Sequence, residues 1–309
     1  PYPAALDDAN AAYLWLLREG VAPSRMILAG DSAGGGLALS TLVSLRDAGH
    51  PLPAGAVCIS PWTDLALTGS SIRDKAGVDP ILSPANLETY AGYYAGTVKR
   101  TEPLVSPLYA DLAGLPPLLI QVGQYEILLD DATAAYLWLL QKGVEPSKII
   151  LAGDSAGGGL ALSTLIGLRD AGHLLPAGAV CISPWTDLAL TGSSILAKAP
   201  VDPILSPSDL EMYAGYYAGT VKRREPLLSP LYADLTGLPP LLIQVGSDEI
   251  LLDDAVRCAT KARAAGVDVT LETWEGMFHV FHMLPFLPET TRALESIAAF
   301  VSQSLDGSS

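Results

Sequence analysis

The feature that most constrains the fold is a glycine-rich turn that occurs twice, each time between a short apolar run and a segment that favours a helix. The turn, Gly-Asp-Ser-Ala-Gly-Gly-Gly, spans Gly30–Gly36 and again Gly153–Gly159. Its serines, Ser32 and Ser155, are 155 − 32 = 123 positions apart. Glycines on both sides of a serine let a strand pass sharply into a helix, because side chains there would collide with neighbouring backbone. Each occurrence therefore predicts a strand, a tight turn and a helix.

The repetition extends well beyond the turn. The same offset relates Asp7, Asp130 and Asp253, which lie in three Leu-Asp-Asp-Ala segments. The chain divides into a first copy (residues 5–127), a second copy (residues 128–250) and a unique C-terminal segment (residues 251–309). The copies differ at about one position in six and contain no insertion. This uniform similarity indicates a tandem duplication, either very recent or engineered in a chimeric protein.

No linker separates the two copies. Residues 126–129 have the apolar sequence Glu-Ile-Leu-Leu, without glycine, proline or serine. Independent domains are normally joined by exposed polar chain. We therefore expect residues 1–309 to form a single α/β domain built of two repeats.

Each copy alternates short apolar runs with helical segments. The predicted strands are Met26–Ala29, Ala56–Ser60, Leu118–Val122, Ile149–Ala152, Ala179–Ser183, Leu241–Val245 and Val267–Thr273. The predicted helices are Leu6–Arg18, Gly36–Ala48, Leu129–Gln141, Gly159–Ala171, Asp253–Ala265 and one near Glu289–Ser302. A long excursion rich in proline and glycine separates the second and third strands of each copy. Continuous apolar runs are typical of parallel strands that are covered on both faces.

Two sheet arrangements fit this pattern. Strands that follow chain order would place nearly every helix on one face, unless the sheet curled into a barrel. If both copies instead begin at the centre, the helices cover both faces, as in doubly wound sheets. The apolar helix Leu129–Gln141 suits such a buried position better than the more polar Asp253–Ala265. We therefore expect a doubly wound, mostly parallel sheet of about seven strands, with a curled or barrel-like repeat arrangement as the alternative.

The composition narrows the class of protein. A net charge of −15 disfavours binding to nucleic acid and to anionic membranes. No run of about 18 apolar residues predicts a membrane span, and the first residues do not resemble a signal peptide. Cys58, Cys181 and Cys258 show no disulfide or metal-site spacing, which favours a reducing, cytoplasmic compartment. We expect no metal and no organic cofactor.

Three motifs together resemble the bacterial hormone-sensitive-lipase-like esterases of the α/β-hydrolase fold. They are the doubled Gly-Asp-Ser-Ala-Gly-Gly turn, the segment Gly246–Leu251 and the segment Trp274–Phe281. The resemblance covers essentially the whole chain. It implies a serine hydrolase that acts on short acyl esters. The substrate would be a small molecule, and the reaction would require no cofactor.

Carried over residue by residue, the resemblance implies a catalytic triad. Ser155 would be the nucleophile, His279 the base, and Asp248 the acid that orients the imidazole. This chain order, serine then acid then histidine, is expected for the fold. The backbone N–H of Ala156 would help to bind the oxyanion.

Other polar residues have simpler interpretations. His282 follows His279 closely, but its apolar neighbours suit a packed or surface histidine. Asp253 and Asp254 are expected at a helix N-terminus, where negative charge is stabilising. His50 and His173 follow the ends of predicted helices and are interpreted as capping or surface residues.

The first copy departs from the family pattern. Tyr125 stands at the position that corresponds to Asp248, and no histidine segment follows it. Ser32 is therefore expected to be an orphan, unreactive nucleophile. The family's N-terminal half, with its His-Gly-Gly-Gly oxyanion loop, is also missing from the sequence, so any activity should be weak. The alternatives are a catalytically inactive scaffold and a homodimer that completes the site or covers an exposed sheet face.

Overall fold

The structure is a computed structural model that describes residues 1–69, 71–74, 82–121, 140, 144–219 and 221–306. The chain divides into two compact units, Pro1–Ile149 and Ile150–Ser309. The predicted helix Leu129–Gln141, the apolar junction 126–129, the repeat boundary at 127/128 and Tyr125 lie outside the described residues, apart from residue 140. The single-domain organisation stays a prediction.

The first unit is built on three parallel strands that follow chain order, each paired with the next. The strands are β1 (Ile27–Asp31), β2 (Gly55–Ile59) and β3 (Leu118–Gln121). The helices are α1 (Ala4–Arg18), α2 (Ala33–Asp47), α3 (Ser71–Asp74) and α4 (Pro84–Ala95), with 3₁₀ turns at Pro23–Arg25, Pro107–Tyr109 and Pro146–Lys148. Helix α2 packs on β1 and β2, and Tyr13 of α1 packs with Leu45 of α2.

The second unit adds four parallel strands, again in chain order. They are β4 (Ile149–Asp154, whose first residue belongs to the first unit), β5 (Gly178–Ile182), β6 (Leu241–Gly246) and β7 (Val269–Trp274). The helices are α5 (Ala156–Asp170), α6 (Ser194–Ala197), α7 (Pro207–Ala218), α8 (Leu252–Ala264) and α9 (Pro288–Asp306), with 3₁₀ turns at Pro230–Tyr232 and Phe281–Met283. Strand β6 is buried along its whole length.

The predicted fold class, a parallel sheet of about seven strands, is confirmed: the parallel strands are flanked by helices and do not close into a barrel. The idea that both copies begin at the centre of the sheet concerns the placement of one unit against the other and stays a prediction. None of the helices in the described ranges has the length and apolar character that crossing a membrane requires.

One local expectation is wrong. Strand β1 is not covered on both faces: burial alternates along it, and Ile27, on the exposed face, is 62% exposed. The excursions rich in proline and glycine contain two helices that were not predicted, α4 and α7. Both helices begin with proline after a capping serine, Ser83 or Ser206, whose side chain accepts a backbone N–H.

Candidate active site

Ser155 lies in the tight turn between β4 and α5, in a strained backbone conformation. Its φ of 52° and ψ of −121° are unusual for a residue with a side chain. The flanking glycines make this turn possible: a Cβ on Gly153 would collide with the carbonyl of Gly157, and one on Gly159 would collide with the carbonyl of Trp185. The turn therefore has the strand–serine–helix geometry that the sequence predicts.

His279 approaches Ser155 from the loop that follows β7. Its Nε2 lies 2.9 Å from Ser155 Oγ, and its side chain is almost completely buried. The loop can come this close because Gly246, at the end of β6, has no Cβ; one there would collide with the carbonyl of Met277. Ser155 and His279 are thus in hydrogen-bonding contact, as a nucleophile and its general base must be.

The carboxylate beside the histidine is that of Glu249, not that of Asp248 as the resemblance implied. Glu249 Oε1 lies 3.2 Å from His279 Nδ1, and the Glu249 side chain is fully buried. The Asp248 carboxylate instead accepts a hydrogen bond from Lys198 Nζ at 3.1 Å, at a partly exposed position. Because the chain turns after β6, consecutive side chains point in different directions, and Glu249 is the one that turns inward.

The second oxygen of Glu249 is held by two donors. Oε2 accepts hydrogen bonds from Ser183 Oγ and from the backbone N–H of Gly246, each at 2.8 Å. Hydrogen bonds to a buried carboxylate offset the cost of removing it from water. Oε1 is therefore the oxygen that faces the imidazole. No sequence motif identifies Ser183, because its contact with Glu249 depends on where the segments that follow β5, β6 and β7 meet.

Ala156, the predicted oxyanion donor, is the first residue of α5. The N–H groups of a helix's first turn have no acceptor within the helix. The Ala156 N–H, next to Ser155 in the chain, belongs to this group. Its role toward a substrate oxygen stays a proposal.

His282 is not part of the serine site. Its Nε2 lies 2.9 Å from Gln244 Oε1, and burial lowers the pKa of its imidazole to about 4. His282 is therefore neutral at physiological pH. Among the described residues, no group of three or more His, Cys, Asp or Glu side chains is arranged to hold a metal ion.

The two aspartates at the start of α8 have different roles. Asp253 accepts hydrogen bonds from Ser193 Oγ at 2.6 Å and from the N–H of Ser194 at 3.0 Å. Asp254 is fully buried, and its Oδ2 accepts the N–H groups of Thr186 and Asp187, each at 2.8 Å. Burial raises the pKa of the Asp254 carboxyl to about 7. The expectation that Asp254 simply serves the helix N-terminus is therefore incomplete.

His50 and His173 lie just beyond α2 and α5, as expected. The backbone N–H of His50 donates to the carbonyl of Leu45, and that of His173 to the carbonyl of Leu168, both at 2.9 Å. Both residues are exposed. They follow helix ends, and their observed backbone hydrogen bonds are to those helices.

The first unit holds the same turn, but its sequence has no histidine that corresponds to His279. Ser32 has φ 51° and ψ −118°, and a Cβ on Gly30 or Gly36 would meet the same kind of backbone carbonyl as in the second unit. The sequence of this unit contains one histidine, His50, which ends a helix. Since 249 − 123 = 126, the first copy does contain a glutamate at the position of Glu249, but that residue lies outside the described part. What its sequence lacks is the histidine.

Comparisons with known proteins identify the family. A family model described as alpha/beta hydrolase fold matches residues 1–135 and residues 129–283. An acetyl-hydrolase from Streptomyces hygroscopicus is 45% identical over 221 residues, which are 70% of this chain and 74% of that enzyme. An esterase from Acinetobacter venetianus is 40% identical over 184 residues, which are 59% of this chain and 60% of that protein.

Solved structures give the same result. The crystal structure of an esterase from the bacterial hormone-sensitive lipase family is 47% identical, with a TM-score of 0.56, and the match covers 59% of this chain and 62% of that one. An esterase/lipase from an uncultured bacterium is 41% identical with the same TM-score, over 60% and 62% of the two chains. The match thus spans about three fifths of each solved relative. The chain belongs to the alpha/beta hydrolase fold family, beside bacterial esterases of the hormone-sensitive-lipase type.

Proposed function

We propose that the protein hydrolyses small carboxylic esters with short acyl groups at Ser155. The observation that carries this proposal is the continuous hydrogen-bonded series from Ser155 Oγ to His279 Nε2, and from His279 Nδ1 to Glu249 Oε1. The relatives named above, which are acetyl-hydrolases and esterases, support the same reaction class.

In the proposed mechanism, Ser155 Oγ attacks the ester carbonyl while His279 Nε2 accepts its proton. Glu249 holds Nδ1 in its protonated form, stabilises the imidazolium that forms and remains ionised itself. The Ala156 N–H donates to the developing oxyanion. His279 then passes the proton to the leaving alcohol, and the acyl group stays on Ser155. A water molecule activated by the same histidine attacks this acyl group and releases the carboxylic acid product.

Weak turnover stays a prediction; each oxyanion donor that a site lacks costs roughly 10²–10³ in kcat. We also propose that the two copies arose by duplication and that only the second carries the chemistry, with Ser32 unreactive. A homodimer and a cytoplasmic location remain predictions.

The test is the hydrolysis of p-nitrophenyl acetate by Ser155→Ala and by its matched control Ser32→Ala. The two serines share the same turn sequence and backbone angles, so both variants perturb the fold alike. We expect Ser155→Ala to hydrolyse the ester no faster than denatured protein, and Ser32→Ala to match the wild type. Activity that survives in Ser155→Ala, or no activity in the wild type, would refute the proposal; the latter result supports an inactive scaffold.

A further inference from the structure

The hydroxyl of Ser183 joins the acid and the histidine loop. Ser183 is fully buried at the end of β5, outside the serine turn itself. Its Oγ donates to Glu249 Oε2 at 2.8 Å and accepts the backbone N–H of Val280 at 3.2 Å. Val280 directly follows His279 in the chain. One hydroxyl therefore contacts both the carboxylate and the loop that carries the base.

These two contacts determine the direction of the hydroxyl hydrogen. Because the Ser183 oxygen accepts the Val280 N–H, its single hydrogen is free to point at Glu249 Oε2. With the Gly246 N–H on the same oxygen, Oε2 is occupied by two donors. A partial rotation of the carboxylate would break both of these bonds and the contact with His279. Ser183 thus fixes the rotation of the carboxylate about its last side-chain bond.

The backbone at this position is strained for a residue with a side chain. Ser183 has φ 45° and Val280 has φ 50°, both in the left-handed region. Ser60, the equivalent residue of the first copy, has φ 43° within the same Ile-Ser-Pro-Trp sequence. The strain therefore belongs to the local fold of both copies. The hydrogen bonds to a carboxylate and to the histidine loop are observed in the second copy, at Ser183.

We propose that Ser183 is a positioning residue for the Ser155–His279–Glu249 site. Its hydroxyl holds Glu249 Oε1 against His279 Nδ1 and fixes the histidine loop at Val280. This inference rests on the proposed function, because it assigns Ser183 a part in the same reaction. The hydroxyl takes no part in bond making and acts through Glu249 and the backbone of Val280.

The experiment compares Ser183→Ala and Ser183→Gly with Ser60→Ala and Ser60→Gly. Glycine adopts positive φ without strain, so Ser183→Gly removes the hydroxyl and relieves the backbone. A hydrogen bond to a charged group in a buried site corresponds to about 10- to 100-fold in rate. We expect both Ser183 variants to lower kcat by about this factor at unchanged KM, and both Ser60 variants to leave kcat within about twofold.

Two further readouts separate positioning from general structural damage. In a Glu249→Gln background, Ser183→Ala should lower kcat by less than about threefold, because the carboxylate it positions is gone. In the ¹H NMR spectrum, the downfield resonance of the His279 Nδ1 proton should be present in the wild type and shift or broaden in Ser183→Gly. The NMR result does not require ester turnover, so it distinguishes a failure of this proposal from a failure of the proposed function.

Equal kcat values for the Ser183 and Ser60 variants would overturn the proposal. So would the same fold-loss in both Glu249 backgrounds, or an Nδ1 proton resonance that Ser183→Gly leaves unchanged.

Discussion

Replacing Glu249 by glutamine should abolish most of the esterase activity by reversing the tautomer of His279. Glu249 Oε2 accepts two hydrogen bonds, from Ser183 Oγ and from the N–H of Gly246. An amide NH₂ at that position would face two donors, so the amide oxygen must take it. The NH₂ group then faces His279 Nδ1, where Glu249 Oε1 lies at 3.2 Å in the wild type.

An NH₂ group beside Nδ1 can bond only to an unprotonated nitrogen. The imidazole proton would therefore move to Nε2 and point at Ser155 Oγ, 2.9 Å away. A histidine in that tautomer cannot accept the serine proton. The corresponding loss in serine proteases is about 10⁴-fold in kcat, or about 5.5 kcal/mol of transition-state stabilisation. We expect a decrease of this order in Glu249→Gln.

Asp248→Asn is the matched control, since it makes the same chemical change one residue earlier. It removes the negative charge that faces Lys198, in a partly exposed ion pair of a kind worth at most about 1 kcal/mol. We expect its kcat to stay within about threefold of the wild type. The assay is steady-state hydrolysis of p-nitrophenyl acetate, with circular dichroism to confirm that both variants fold. A large loss in Asp248→Asn together with activity in Glu249→Gln would refute the assignment of the acid.

Two further predictions concern stability. Burial raises the pKa of the Asp254 carboxyl to about 7. The native protein therefore keeps a proton that the unfolded chain loses near pH 4. The free energy of unfolding should fall by about 4 kcal/mol as the pH rises from about 4 through 7. Urea unfolding at pH 5 and pH 8 checks this, with an expected difference of about 3 kcal/mol over that interval. Asp254→Asn should lack the pH dependence and be more stable than the wild type at pH 8; a pH dependence retained in that variant would contradict the role of Asp254. Gly153→Ala should destabilise the protein by about 1–3 kcal/mol or more because its Cβ would collide with the Gly157 carbonyl. Gly167→Ala, in the last turn of α5, where nothing lies within 4 Å of an added Cβ, should stabilise the protein by about 0.5–1 kcal/mol. The same sign for both variants would contradict the explanation by close backbone contacts.

Much of the fold follows from local sequence. The strands are short runs of apolar residues, and the serine turn needs glycine at Gly153 and Gly159 because of close backbone contacts. The apolar runs and the glycines of the turn are both visible in the sequence. Helix α7 was missed although its signal was present: Ser206 and Asp209 form a capping box around Pro207. The high proline and glycine content of the surrounding excursion obscured it.

The candidate site was predictable only in part. Ser155 and His279 are each fixed by a local motif, and the structure brings them together. The choice between Asp248 and Glu249 depends on which side chain turns inward after β6, and this is decided by donors from Ser183 and Gly246. Those donors are distant in sequence or part of the backbone, so residue patterns alone could not separate two adjacent carboxylates.

Labelling of the native protein with a fluorophosphonate tests directly whether Ser155 is the nucleophile, because this reagent reacts with a serine that a histidine activates. Trypsin should release the two serines in peptides that differ in mass, Met26–Arg46 and Ile149–Arg169, because the copies differ at three positions there. We expect label on Ser155 alone, lost in the His279→Gln variant. Label on Ser32, or a Ser155 peptide that stays unmodified, would contradict the assignment of Ser155 as the nucleophile.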